Sequence, residues 1–120
     1  MAAILVVDDS TSLRNMVVFT LKEAGHQVVE AADGVQGLAA AGQQSFDLVL
    51  TDVNMPEMDG ITLCSELRQL EAFQFTPILM LTTEGSSEMK LKGKSAGATG
   101  WLVKPFNPEK LLNTIKRVVR

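Results

Sequence analysis

Ala3-Ile4-Leu5-Val6-Val7-Asp8-Asp9 is the stretch on which the fold turns. Five residues from Ala3 to Val7 run apolar without alternation, the pattern of a strand buried on both faces. The run stops at two carboxylates. Beyond them Leu13, Met16, Val17, Thr20, Leu21 and Ala24 recur at helical spacing, and Gly25 stands where a helix C-terminus favours a left-handed residue.

The same succession repeats along the chain. Gln27–Ala31 reads as a second strand, and a helix through Val35, Leu38 and Ala39 follows Asp33-Gly34. Asp47–Thr51 is a third strand ending at Asp52. Asn54-Met55-Pro56 to Asp59-Gly60 must be a loop, and Ile61 to Leu70 resumes a helix. Pro77–Leu81 is a fourth buried strand ending at Thr82, followed by a polar, Lys-rich helix from about Ser87 to Ser95. Thr99–Val103 is a fifth strand ending at Lys104-Pro105. The last helix starts at Asn107 or Pro108, where Asn caps and Pro suits the first turn, and presents Leu111, Leu112, Ile115 and Val118. Five strands alternating with five helices through short connections predict an α/β fold, a five-stranded parallel sheet doubly wound by helices. No internal repeat, low-complexity tract or linker interrupts residues 1–120, which read as one domain.

Composition fits this picture. The 120 residues are 46% hydrophobic and 21% charged, with a mean hydropathy of +0.15. No apolar run approaches the roughly 20 residues that span a bilayer, and no basic segment precedes the first apolar run as in a signal peptide. Cys64 has no partner for an internal disulfide, which suits a reducing cytoplasm, and is expected in the core. His26 is expected at a helix–strand turn, and Met16, Met55, Met58, Met80 and Met89 as core or loop packing. The net charge of −3 hides an asymmetry: residues 1–89 hold 3 basic and 13 acidic side chains, residues 90–120 hold 8 basic and 1 acidic. An acidic end that attracts a cation and a basic face for an acidic partner are expected. No aromatics interleave with the lysines, so no nucleic-acid contact is read.

Polar residues gather at strand ends. Asp8 and Asp9 follow the first strand, Asp52 the third, Thr82 the fourth and Lys104 the fifth. Parallel strands all point one way, so these residues converge on one edge, where ligands bind in such sheets. Three carboxylates brought together oppose one another's ionisation. A hard divalent cation, Mg2+ or Mn2+, removes the conflict with oxygen ligands, and Asp52 becomes a nucleophile able to form an aspartyl phosphate. Thr82 and Lys104 are then the natural partners of the phosphoryl oxygens.

Asp8-Asp9, Asp52, Thr82 and Lys104-Pro105, with Asn54-Met55-Pro56, Asp59-Gly60, Gly97-Ala98 and Phe106, resemble the signature of two-component response-regulator receiver domains. The resemblance covers essentially the whole chain and is strongest to stand-alone chemotaxis regulators of the CheY type, with no output domain. It implies a flavodoxin-like sheet in the order 2-1-3-4-5. It also implies that Asp52 accepts phosphate from a histidine kinase, that Asp9 and Asp52 ligate Mg2+ with the backbone carbonyl of Asn54, and that Asp8 acts through water. The family's peptide before the proline, here Lys104-Pro105, is usually cis. Asn54 and Glu84 match the chemotaxis type at the positions expected to set phosphate lifetime, and small polar groups there leave room for water. The family's switch aromatic, usually Tyr or Phe, falls on Trp101. Indole is bulkier and donates only an N–H, so Trp101 is expected to stay outward as a partner anchor.

The function expected is a phosphorylation-gated binding module acting through Lys90, Lys92, Lys94, Trp101 and the basic tail. Its target would be the flagellar motor switch or another acidic segment, and a phosphatase is a possible further partner. A receiver that drains phosphate from a shared kinase is the alternative. An aspartyl-phosphate phosphatase needs an acid two residues after the nucleophile, where Asn54 stands, so turnover of external substrates is not expected. A flavodoxin-like electron carrier would need a hydroxyl- and glycine-rich phosphate loop where Asp8-Asp9 stand. A membrane partner is not expected.

Overall fold

Each continuous apolar run becomes a strand of one sheet. The computed structural model describes residues 2–83 and 85–119. Its elements alternate as β1 (Ala3–Val7), α1 (Thr11–Glu23), β2 (Gln27–Ala31), α2 (Gly34–Ala41), β3 (Leu48–Thr51), α3 (Gly60–Arg68), β4 (Ile78–Thr82), α4 (Ser87–Ala96), β5 (Gly100–Val103) and α5 (Pro108–Val118). A 3-10 turn, Glu71–Phe73, precedes β4. All strand pairs are parallel, in the order β2-β1-β3-β4-β5.

The sheet is apolar on both sides because helices cover both. Leu5, Val7, Val49, Ile78 and Met80 face Ala41 of α2 and Leu63, Cys64 and Leu67 of α3, with Met89 and Ala96 of α4 packed at the margin. Ile4, Val6, Leu48, Leu50, Leu79 and Leu81 face Val17, Val18 and Leu21 of α1 and Leu111 and Ile115 of α5. Alternate residues of one strand therefore serve two different cores. No helix among the described residues is long and apolar enough to cross a membrane.

Among the described residues, each α-helix begins with a side-chain cap at the end of the loop that leaves a strand. Ser10, Asp33, Asp59, Ser86 and Asn107 accept hydrogen bonds from the N–H groups of Leu13, Gln36, Thr62, Met89 and Lys110. Each cap satisfies an otherwise orphaned donor and stabilises by about 1 kcal/mol. The loops carrying the strand-end polar residues are thus short and tied at both ends. Gly25 takes φ 91° beyond α1, as the sequence required of it.

Two helical faces differ from expectation. Met16 is 58% exposed, and the buried stripe of α1 is Val17, Val18 and Leu21. Val35 is 50% exposed and α2 instead buries Gly34, Gly37 and Ala41. Close approach explains the second case. A Cβ on Gly34 would overlap the Met58 carbonyl, and one on Gly37 would stand 3.0 Å from Val7. Small residues face the core here, so an apolar-periodicity reading points to the wrong side.

Candidate functional site

The winding direction reverses between β1 and β3, opening a crevice at their carboxyl ends. Val7 lies opposite Thr51, so Asp8 and Asp52 emerge side by side. Backbone bonds extend the ladder past the strands: Asp52 N–H donates to the Val7 carbonyl at 2.9 Å, and Asp8 N–H to Ala31 at 3.1 Å. Carboxylate oxygens of Asp8, Asp9 and Asp52 all lie within 4.8 Å of one another. The structure brings together the three acids singled out in the sequence.

Lys104 arrives from β5. Its Nζ is 3.1 Å from Asp8 Oδ2 and 3.1 Å from Asp52 Oδ2. The remaining oxygens are held by backbone: Ser10 N–H donates to Asp8 Oδ1 at 2.9 Å and Val53 N–H to Asp52 Oδ1 at 2.7 Å. Both buried acids are therefore occupied on both oxygens. Asp9 is exposed, and among the described residues nothing bonds to its carboxylate. Burial pushes the Asp8 carboxyl above its ordinary value; the Ser10 N–H and Lys104 oppose the shift, and the Asp52 charge adds to it.

One ammonium faces three carboxylates, a deficit of positive charge that suits a divalent cation with oxygen ligands. The donor set fits Mg2+: acid oxygens only, two of them prefixed by backbone, and no His or Cys nearby. The hollow behind Asp8 and Asp52, lined by Val6, Val17, Leu50 and Leu81, is too small for a water.

The loop after β3 braces Asp52. Gly60 N–H donates to Val53 at 2.8 Å, and a Cβ at Gly60 would overlap the Asp52 carbonyl. Asn54 is exposed two residues past Asp52, and Glu57 takes φ 69° at the loop tip. Thr82 ends β4 with no exposed surface, and its carbonyl accepts from Lys104 N–H at 2.8 Å. The Lys104–Pro105 peptide is cis. Glu84, expected from the resemblance to influence phosphate lifetime, lies outside the described residues.

Trp101 is half-buried, its six-membered ring laid on Gly93 of α4, where an added Cβ would stand 2.6 Å from a ring carbon. Lys90 and Lys94 line a cavity of about 330 Å³ with Trp101, and Lys92 is exposed 3.7 Å from Glu88. His26 sits at the α1–β2 turn, where its Nδ1 accepts from Ala2 N–H at 3.0 Å, and Cys64 is fully buried.

One residue was not legible in advance. Arg14 of α1 donates from Nη1 to the Asp8 carbonyl at 2.6 Å and from Nε to Glu30 at 3.1 Å. The available signal was rarity, since only Arg14, Lys22 and Arg68 are basic within residues 1–89. Arg68 is likewise a staple, donating to the carbonyls of Gly97, Phe73 and Thr76.

Comparison with known proteins agrees with this geometry. A family model described as the response regulator receiver domain matches residues 4–116. The DNA-binding dual master transcriptional regulator RpaA of Synechocystis is 38% identical over all of this chain and 50% of its own length. The chain spans about half the length of the first curated relatives it matches. The chemotaxis protein CheY4 of Vibrio cholerae superposes with a TM-score of 0.96 at 55% identity, covering 99% of each chain. The receiver domain of the sensor histidine kinase PA1611 of Pseudomonas aeruginosa, solved with a magnesium ion in its active-site cleft, gives a TM-score of 0.91 at 29% identity over 98% of this chain and 96% of its own. With this match and this edge geometry, the chain belongs to the response-regulator receiver domains of two-component systems.

Proposed function

We propose that this chain is a phosphorylation switch in which Asp52 takes a phosphoryl group from a phosphohistidine of a histidine kinase. The observation that carries it is the edge itself: three carboxylates within 4.8 Å, with Lys104 3.1 Å from two of them. In the transfer one Asp52 oxygen forms the bond to phosphorus as the phosphorus–nitrogen bond breaks, and the departing imidazole keeps that electron pair. Lys104 turns from the Asp52 carboxylate to the incoming oxygens, and Thr82 offers its hydroxyl once uncovered. Asp9, Asp52 and the Asn54 carbonyl would hold Mg2+, with Asp8 acting through water, as the magnesium-bearing receiver of PA1611 encourages. When bound, the ion supplies positive charge against the phosphoryl oxygens.

Incubating the chain with acetyl phosphate and Mg2+ tests the acceptor. One phosphoryl per chain, lost in Asp52→Asn, is expected; equal labelling of the variant would refute it. Asn54 leaves room for water, so the phosphate is short-lived; it is also not the acid that a phosphatase needs at that position, so turnover of external phosphoesters is not expected. An unchanged lifetime in Asn54→Lys would remove Asn54 from that role.

The output is read at α4, β5 and α5, where Lys90, Lys92, Lys94 and Trp101 stand, toward an acidic segment such as the flagellar motor switch. Likeness to CheY4 over 99% of both chains supports a chemotaxis role in the cytoplasm. The second reading, a receiver serving transcription or draining phosphate from a shared kinase, draws on the identity to RpaA. A pull-down with a motor-switch peptide, with and without beryllofluoride, separates them: capture only of the treated protein favours chemotaxis, and equal capture or none counts against it.

A further inference from the structure

Among the described residues nothing bonds to the Asp9 carboxylate, so its direction is set by backbone. That backbone hangs from the Asp8 carbonyl, the group that Arg14 Nη1 grips at 2.6 Å. The guanidinium is aimed in turn by Glu30 on β2, 3.1 Å from Nε, and the Arg14 side chain is only 15% exposed. A planar fork reaches a carbonyl and a carboxylate at once, which an ammonium on a flexible stem does not reproduce. Glu30 also offsets a positive charge that would otherwise stand uncompensated beside a cation site.

We propose that Arg14, aimed and neutralised by Glu30, is a positioning residue for divalent-cation binding: it locks the Asp8–Asp9 peptide so that Asp9 points into the carboxylate cluster. This rests on the cation site of the proposed function. Outer residues that orient ligands typically change metal affinity 10- to 100-fold. Arg14→Met is therefore expected to weaken the site about tenfold. Glu30→Gln leaves the guanidinium unbalanced and weakens it about threefold, an effect that fades at high salt. Arg14→Lys keeps the charge without the fork and falls between wild type and Arg14→Met.

The test is Mn2+ affinity of the unphosphorylated chain, read as free Mn2+ by electron paramagnetic resonance, with Mg2+ calorimetry beside it and circular dichroism confirming the fold. Asp9→Asn is run alongside. Loss of binding in Asp9→Asn with graded losses in the Arg14 and Glu30 variants supports the proposal. Binding that Asp9→Asn removes but Arg14→Met leaves unchanged, with only the melting temperature lowered, makes Arg14 an ordinary helix–strand staple and leaves the site intact. Tighter binding in Arg14→Met overturns the positioning role, since the guanidinium would then act only as a repelling charge. Absence of Mn2+ binding in the wild type overturns both this inference and the cation site beneath it. Should Arg14→Met not fold, Arg14→Lys and Glu30→Gln decide the matter, and wild-type affinity in both refutes it.

Discussion

At the β1–β3 edge, Asp8 and Asp52 have both oxygens occupied and the loops that carry them are capped. On the α4–β5 side, α4 buries only Gly93, while Leu91 is 65% exposed and Lys90, Lys92 and Lys94 stand in solvent. The first region is over-determined; the second is held by Gly93 against the Trp101 ring, with Met89 and Ala96 only part-buried at the margin of the core. Local stability follows buried contacts, so the two regions differ in how readily they rearrange. Chemistry that needs fixed oxygens sits, on the proposed reading, where the chain is tied, and a surface that changes between states suits the side where it is not. On the proposed reading, Lys104 connects them, since its ammonium holds the acids while its N–H bonds the Thr82 carbonyl.

The contrast can be broken from the tied side first. Gly60→Ala places a methyl against the Asp52 carbonyl, a backbone atom that cannot swing aside, and should cost about 3 kcal/mol by urea denaturation. A loss under about 1 kcal/mol would show the edge to be as yielding as α4.

Asp8→Asn, without divalent ions, should raise the melting temperature at neutral pH. The folded carboxyl titrates above its unfolded value, so the native state binds more protons through that window and stability falls as pH rises across it. The variant should lack this fall, and a parallel pH profile in both proteins would contradict it.

On the looser side, Gly93→Ala sharpens the comparison. In a free helix the change would gain about 1 kcal/mol, but here the methyl meets the Trp101 ring. A shifted Trp101 emission with that gain cancelled is expected. A gain of about 1 kcal/mol with unchanged emission would mean that the indole does not rest there. The smallest effect belongs to Lys92→Ala. Its 3.7 Å pair with Glu88 has side chains 59% and 80% exposed, and surface pairs of this kind contribute less than about 0.5 kcal/mol. A larger loss by thermal melting would show α4 to be more tightly held than its burial indicates.

Legibility tracked how local each feature is. The strand runs, the stop at Gly25, the loop ending at Asp59-Gly60 and the cap at Asn107 depend on neighbours a few residues away, and they were readable. The convergence of Asp8, Asp9, Asp52 and Lys104 was readable too, because parallel strands carry their ends to one edge. Arg14 was not, since its carbonyl lies six residues back and its carboxylate on another strand. The small-residue face of α2 and the Gly93–Trp101 seat also escaped, because close approach favours glycine where periodicity looks for bulk.

By itself the sequence determined the parallel α/β architecture, the acidic edge with its lysine, and the family resemblance. All three follow from residue type and spacing under a repeating backbone geometry. Only the tertiary structure decided that Lys104 bridges Asp8 and Asp52, that Asp9 is left to be aimed by its backbone, and that α4 rides on Trp101. Those depend on distances of about 3 Å between segments far apart in the chain, and hydrogen bonds and contacts lose their strength within a fraction of an ångström of that range.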